Sequence, residues 1–324
     1  MTKGIRFHRI GGPEVLSYEN IEVGLPGEGQ ALVRNTAIGL NFIDTYHRSG
    51  LYPLPLPSSI GLEAAAVVEA VGRDVTHVQP GDRVGYAGPP PGAYAERRLI
   101  PAQRLVKLPD ALSDQQVGAM MLKGLTVQYL IRRVYRVQAG ETVLFHAAAG
   151  GVGLIACQWL RALGVTVIGT VGSEAKADIA RTHGCDYPIV YTRENFADRV
   201  MEITGGAKLP VVFDSVGRDT FMGSLDCLQP RGLLAVFGNS SGPVPAFDLN
   251  LLADKGSLFV TRPTLVHYTA RREELETAAR ELFDVVGSGR VKIEVNQTYA
   301  LEDAAQAHRD LEGRLTTGSS ILIP

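Results

Sequence analysis

The strongest chemical signal in this chain is a run of small residues, Ala147-Ala148-Ala149-Gly150-Gly151-Val152-Gly153. A short apolar stretch, 142–148, precedes it and reads as a strand; 152–163 follows and reads as a helix closed by Gly164. A strand, a turn free of bulky side chains and a helix N-terminus together form a dinucleotide pyrophosphate site. The backbone can approach the anion, and free N–H groups at the positive end of the helix meet it. Gly150, Gly151 and Gly153 are expected to clear the path for the pyrophosphate, and Gly153 also permits close helix–strand packing. NAD-binders place a carboxylate on the ribose about 20 residues further on. Here that place reads Thr170-Val171-Gly172-Ser173, with Lys176 following. A hydroxyl and an ammonium suit a 2′-phosphate, so NADP(H) is expected over NAD. Glu174 could approach a ribose, but an acid in a helix's first turn also answers the helix dipole. Lys176 equally suits a solvated surface.

Two other constellations carry less. Gly238-Asn239-Ser240-Ser241-Gly242 has the G-x-S-x-G spacing and follows a strand-like stretch. A nucleophile elbow must run straight into a helix, which Pro243 and Pro245 forbid. Hydrolase chemistry is therefore set aside. After the fifth strand of a doubly wound sheet, the same loop lies on the edge where ligands bind. The seven histidines are scattered without HxxxH or HExxH spacing, and Cys157, Cys185 and Cys227 form no CxxC site or disulfide framework. No metal is expected. His146, inside an apolar stretch, reads as a hydrogen-bonded core residue.

These residues need a frame. The runs 142–148, 165–170, 189–191, 211–215 and 233–237 are short and almost wholly apolar, with 257–260 as a sixth. Helix-like segments 152–163, 173–182, 194–203 and 218–228 alternate with them. Strands buried on both faces, alternating with helices, form βαβ units and a parallel sheet. Residues 1 to about 120 differ: short strands at 30–38, 64–71 and 82–86 are joined by Gly- and Pro-rich turns, giving a β-rich domain. Beyond 265 come an amphipathic helix (271–286), a strand (292–299), a helix (301–311) and a last strand (321–323); the pattern is consistent with a tail that packs back onto the N-terminal domain, which the sequence alone does not decide.

Bulk properties narrow the function. A length of 324 residues suggests two domains. Lys and Arg total 32 against 34 Asp and Glu, a formal net charge of −2, which supplies no basic footprint for nucleic acid. No apolar run reaches the roughly 18 residues of a membrane span. The first ten residues carry Lys3, Arg6, His8 and Arg9 with no apolar stretch after them, so no signal peptide is expected and the location is read as cytoplasmic.

With these residues in view, the chain resembles the zinc-independent, zeta-crystallin-like quinone oxidoreductases of the medium-chain dehydrogenase/reductase superfamily. The resemblance spans nearly the whole chain. It rests on Gly11-Gly12-Pro13-Glu14-Val15-Leu16, Asn41-Phe42-Ile43-Asp44 with Tyr46, Gly50-Leu51-Tyr52-Pro53, Gly61-Leu62-Glu63, Pro80-Gly81-Asp82-Arg83-Val84 and Lys123-Gly124-Leu125-Thr126. Asp214-Ser215-Val216-Gly217 and Phe237-Gly238-Asn239-Ser240-Ser241-Gly242 continue it. Zinc-dependent members of the superfamily carry Gly-His-Glu where this chain has Gly61-Leu62-Glu63, and leucine cannot ligate.

The resemblance implies an α/β chain. A GroES-like substrate domain spans 1–124 and 266–324, a Rossmann NADP-binding domain of doubly wound parallel sheet spans 125–265, and the cofactor lies in the cleft between them. It places Asn41 and Asp44 at the nicotinamide ribose and ring, and Thr126 and Tyr129 on the bridging helix. Gly151 and Val152 face the pyrophosphate. Ser173, Lys176 and Tyr191 surround the 2′-phosphate. Val216, Gly238, Asn239, Ser240 and Ser241 line the nicotinamide side, with Thr264, Leu265 and Arg314 as weaker carry-overs. Tyr46 and Tyr52 are the expected lining of the acceptor site, with Asn41 beside them, although each phenol is also consistent with packing. The expected reaction is hydride or electron transfer from NADPH to a quinone without zinc. The alternatives are an NADPH-dependent enone or alkenal reductase and a dinucleotide-binding structural or nucleic-acid-associated protein. Relatives are usually dimers, and a homodimer is expected, with 257–260 as an edge strand.

Overall fold

The computed structural model describes residues 2–324. The chain forms two units, Met1–Leu125 with Thr269–Gly287 and Ile293–Pro324, and Thr126–Tyr268 with Ser288–Lys292.

The second unit is built on six parallel strands, in chain order Thr142–Phe145, Thr166–Val171, Tyr187–Val190, Leu209–Asp214, Leu228–Val236 and Phe259–Thr261. In space they run third, second, first, fourth, fifth, sixth. The order reverses between the first and fourth strands, where the doubly wound fold opens its ligand crevice. Leu144, Ile168, Ile189, Val212 and Leu234 are buried in one core with Phe221 and Leu225. The near-continuous apolar character of these strands follows from that burial. Helices Gly151–Ala162, Glu174–Thr182, Phe196–Ile203 and Phe221–Asp226 alternate with the strands.

Several boundaries differ from the sequence reading. The helix expected at 218–228 is confined to Phe221–Asp226, because Gly217 turns at φ +90° and Leu228 already pairs with Leu209 in the next strand. The sixth strand starts at Phe259 rather than 257, since Gly256 and Ser257 adopt φ of +113° and +55°, which no strand accommodates. Ser173 stands outside its helix as the N-cap, its side chain accepting from the Lys176 N–H.

In the first unit the strands Val295–Ala300, Ser319–Ile323, Gln30–Gly39, Glu63–Val71, Arg83–Ala87 and Val106–Lys107 lie side by side, and Arg97–Pro101 also pairs with Gln30–Gly39. The C-terminal strands thus complete the N-terminal sheet. A smaller sheet orders Ser17–Ile21, Thr2–Phe7 and Ser58–Ser59. This part is not wholly β. Helix Phe42–Ser49 interrupts it, and helix Asp114–Tyr129 carries the chain into the second unit. The first escaped the sequence reading; the second was expected only at its end, where the resemblance places Thr126 and Tyr129 on a bridging helix.

Candidate active site

In the second unit the small-residue run makes a tight turn after the first strand. Ala147 takes φ +56°, Gly150 donates its N–H back to the Ala147 carbonyl at 2.9 Å, and the helix begins at Gly151. Gly153 is buried against this turn. A Cβ there would lie 2.6 Å from the Ala148 carbonyl oxygen and closer still to that of Ala147. His146 fixes the turn from below: its Nδ1 bonds Thr170 Oγ1 at 2.8 Å and its Nε2 bonds Ser224 Oγ at 2.9 Å. It is a satisfied core histidine, and burial lowers its pKa.

The end of the second strand gathers the residues expected around a 2′-phosphate. The Tyr191 N–H bonds the Val171 carbonyl, and its hydroxyl lies 3.1 Å from where a Cβ on Gly172 would stand. Ser173 follows, with Lys176 in the first turn of the helix. Glu174, the possible ribose partner, is instead in an ion pair with Arg193 at 2.7 Å. The donor set therefore suits a phosphate monoester better than a pair of ribose hydroxyls.

The loops after the fourth and fifth strands are bonded to each other. Ser240 and Ser241 donate backbone N–H groups to the carbonyls of Ser215 and Val216, and Ser241 Oγ also donates to the Val216 carbonyl at 2.9 Å. Asp214, fully buried, accepts from the N–H groups of Val216 and Gly217 and from Thr220 Oγ1. Gly238 lies so close to Ser215 that a Cβ would stand 2.9 Å from its carbonyl carbon. Val216, Gly238, Asn239, Ser240 and Ser241 are thus one surface rather than two loops. The Tyr129 and Tyr268 rings stack at 4.9 Å and 10°. Thr126 is on the same helix as Tyr129, and Thr264 and buried Leu265 open the short helix Leu265–Tyr268.

The first unit holds a buried polar chain that the sequence reading captured only in part. Asn41 caps helix Phe42–Ser49 and donates its backbone N–H to Asp44 Oδ2 at 2.9 Å. Its Nδ2 donates to Glu63 Oε1 at 2.7 Å. Glu63 also accepts from Lys123 Nζ at 2.8 Å and the Leu122 N–H at 2.6 Å, in space left by the missing side chain of Gly39. On the other side Tyr94 donates its hydroxyl to Asp44 Oδ2 at 2.9 Å. His308 Nε2 lies 3.3 Å from that hydroxyl, and its Nδ1 faces Arg48 at 2.9 Å. Arg48 has only donors, so His308 accepts at Nδ1 and carries its proton on Nε2. Arg48 also pairs with Glu312 at 2.7 Å. The motif members Glu63 and Lys123, along with Tyr94 and His308, thus surround Asn41 and Asp44. None had been singled out from sequence, because their partners lie tens of residues away.

Asp44 is fully buried, its Oδ1 has no partner within the protein, and each cation near it already faces another carboxylate. Burial first, with Glu63 adding, raises its pKa from an ordinary 3.8 to about 7. The folded chain therefore keeps a proton between these values that the unfolded chain has released. Stability contributed at Asp44 is greatest below about 4, falls as pH rises to about 7, and is level above. Asp44→Asn keeps the shape and should flatten this part of the curve, by an amount on the order of a few kcal/mol. Urea unfolding of both proteins from pH 4 to 8 checks it; parallel curves would show that Asp44 ionises freely.

Tyr46 is buried and half-buried Tyr52 meets it edge-on at 5.3 Å, with the Tyr52 N–H bonded to the Tyr46 carbonyl. Asn41, Asp44, Tyr46 and Tyr52 therefore belong to one helix and the turn after it. Arg314 is distant in sequence and exposed, at φ +59° in the turn after helix Ala304–Glu312. Among the described residues no three His, Cys, Asp or Glu side chains are grouped so as to hold a metal ion, and no helix is long and apolar enough to cross a membrane.

Two family models match the chain: an alcohol dehydrogenase GroES-like domain over residues 27–110 and a zinc-binding dehydrogenase over 151–284. A quinone oxidoreductase of Pseudomonas aeruginosa is 56% identical, with all of both chains covered. The crystal structure of Escherichia coli quinone oxidoreductase complexed with NADPH superposes with a TM-score of 0.98 at 53% identity, covering 99% of this chain and 100% of that one. A 2-haloacrylate reductase of a Burkholderia species is 48% identical over 100% of this chain and 99% of its own.

Proposed function

The chain belongs to the zeta-crystallin-like quinone oxidoreductases of the medium-chain dehydrogenase/reductase superfamily, and from that membership we propose how its own residues serve the reaction. It is an NADPH-dependent oxidoreductase that reduces a quinone. The observation that carries the cofactor choice is the edge after the second strand, where Ser173, Lys176 and Tyr191 gather while Glu174 is occupied by Arg193. The bound nicotinamide supplies the reducing equivalents. Gly150, Gly151, Val152 and Gly153 receive the pyrophosphate on bare backbone. Val216 and residues 238–241, with Thr126, Tyr129, Thr264 and Leu265, serve the nicotinamide side, and Asn41 and Asp44 its ribose and ring. Arg314 is a lesser contact. Residues 1–124 and 266–324 act as the substrate domain and 125–265 as the cofactor domain. Asn41 is held at its backbone and side chain by two carboxyl groups, which fixes the amide for its partner. Tyr46 and Tyr52 line the acceptor, whose electrophilicity removes the need for a Lewis acid.

A cytoplasmic homodimer is the accompanying reading. Three free, buried cysteines suit a reducing compartment. The edge strand Phe259–Thr261, with Phe259 60% exposed, offers a pairing surface for a second copy. The second catalytic reading, reduction of an activated C=C bond, is favoured by the likeness to the 2-haloacrylate reductase.

NADPH or NADH oxidation followed at the nicotinamide absorbance, with quinones, alkenals and 2-haloacrylates as acceptors, tests both. Quinones with NADPH should turn over fastest. Lys176→Ala should raise the KM for NADPH at least tenfold while leaving that for NADH within about twofold, as expected for a charge-assisted hydrogen bond. A panel in which only C=C acceptors react would transfer the function to the second reading, and equal effects of Lys176→Ala on both cofactors would remove its phosphate role.

A further inference from the structure

We infer that His47 is a specificity-determining contact of the acceptor, donating a hydrogen bond from its Nε2–H to a carbonyl oxygen of an uncharged, planar substrate. The inference rests on the reading of Tyr46 and Tyr52 as the acceptor's lining. Helix Phe42–Ser49 ends at Gly50, whose φ of +84° turns the chain back so that Tyr52 returns to the helix end. The turn brings four rings together. Phe42 and Tyr46 lie 6.5 Å apart, Tyr46 and Tyr52 5.3 Å, and His47 meets Tyr52 at 6.1 Å and 65°.

His47 is only 9% exposed, and its Nδ1 is sealed from solvent without a hydrogen-bond partner. Burial lowers the His47 pKa, so the ring is neutral at neutral pH and carries a single N–H. A buried N–H without an acceptor costs more than a bare lone pair on a ring nitrogen. The proton therefore resides on Nε2. That nitrogen is not among the sealed, unpartnered atoms, and with the proton on it the contact assigned to the acceptor is a donated one. A neutral donor among aromatic rings suits a flat carbonyl compound. It offers a carboxylate no countercharge, and the neighbouring Arg48 is already committed to Glu312, His308 and the Gly11 carbonyl. The site should accordingly favour neutral quinones and enones over anionic acrylates.

Kinetics with duroquinone as acceptor test this. His47→Phe keeps a ring against Tyr52 and removes the donor. Its KM for duroquinone should rise about tenfold, the factor for one neutral hydrogen bond, with the KM for NADPH unchanged. His47→Gln restores an N–H at a similar reach and should recover most of the loss. A Tyr52→Ala control separates the two levels of argument. If Tyr52→Ala raises the duroquinone KM and His47→Phe does not, the His47 contact is overturned and the acceptor site stands. If neither does, the acceptor-site reading falls and the contact with it. Should His47→Phe fail to fold, histidine-labelled wild-type protein gives a second readout. The Nε2 resonance that His47→Gln removes should shift when duroquinone is added to the protein with NADP+, and an unmoved resonance overturns the inference.

Discussion

Replacing Lys123 with methionine is expected to destabilise the protein by about 3–5 kcal/mol, the usual cost of stripping one partner from a buried ion pair. Lys123 is 6% exposed at its side chain and Glu63 is fully buried, with 2.8 Å between Nζ and Oε1. Methionine matches the stem of lysine and fills the same space, so packing is largely kept. What remains is a carboxylate supported only by Asn41 Nδ2 and the Leu122 N–H. Those two hydrogen bonds do not balance a full charge removed from water. Adding Glu63→Gln to Lys123→Met removes the orphaned charge and should recover at least half of the loss, although the glutamine cannot accept from both sides as Glu63 does. Denaturant unfolding of the wild type, both single variants and the double variant gives the coupling energy directly. A Lys123→Met cost below about 1 kcal/mol, or a double variant no better than the single one, would show that the pair is solvated and contributes as a surface pair does.

The pair also shows what the sequence could and could not disclose. The second unit was legible because its strands are buried on both faces and so write themselves as unbroken apolar runs; Thr142–Phe145 and Leu209–Asp214 are examples. Its fingerprint was legible for a related reason: a backbone that must approach an anion excludes side chains, and the exclusion is local in sequence. Helix Phe42–Ser49 was missed because it is short and four polar side chains, Asp44, Thr45, His47 and Arg48, are buried in it, which defeats a pattern based on apolar faces. The Asn41 and Asp44 pair at its start was in fact a capping signal. Helix Asp114–Tyr129 entered only through the resemblance that puts Thr126 and Tyr129 on a bridging helix, and its residue pattern hid it for the opposite reason. It is buried on most sides, so hydrophobic residues recur without a clear face. The polar chain through Glu63, Asn41, Asp44, Tyr94 and His308 was invisible as a chain, since its members are brought together by tertiary packing over separations of up to 214 residues. Resemblance supplied Asn41 and Asp44 from local motifs; only the fold supplies what holds them.

The fingerprint turn yields the second large effect. Gly153→Ala adds one methyl group, and in an exposed helix interior such a change stabilises by about 1 kcal/mol. Here the methyl would stand 2.6 Å from the carbonyl oxygen of Ala148 and nearer to that of Ala147. Both are backbone atoms of a turn whose Ala147 is already at φ +56° and whose Ala148 N–H is bonded to the Thr170 carbonyl at 3.0 Å. Neither can rotate away as a side chain would, so the helix must withdraw from the strand. Overpacking of this kind costs about 1–3 kcal/mol, and the helix-propensity gain offsets only part of it. The larger consequence is for binding. Withdrawal moves the Gly151 and Val152 N–H groups with the helix start, and a pyrophosphate site built from backbone donors has no side chain to compensate. The Kd for NADPH, read by quenching of Trp159 or by calorimetry, should rise at least a hundredfold. Gly287→Ala is the matched control: Gly287 ends helix Arg272–Gly287 with nothing within 4 Å of its Cβ position. That variant should bind NADPH as the wild type does and be at least as stable. Equal NADPH affinity in Gly153→Ala would mean that the dinucleotide does not use this turn, and the cofactor assignments that start from it would have to be moved elsewhere on the sheet.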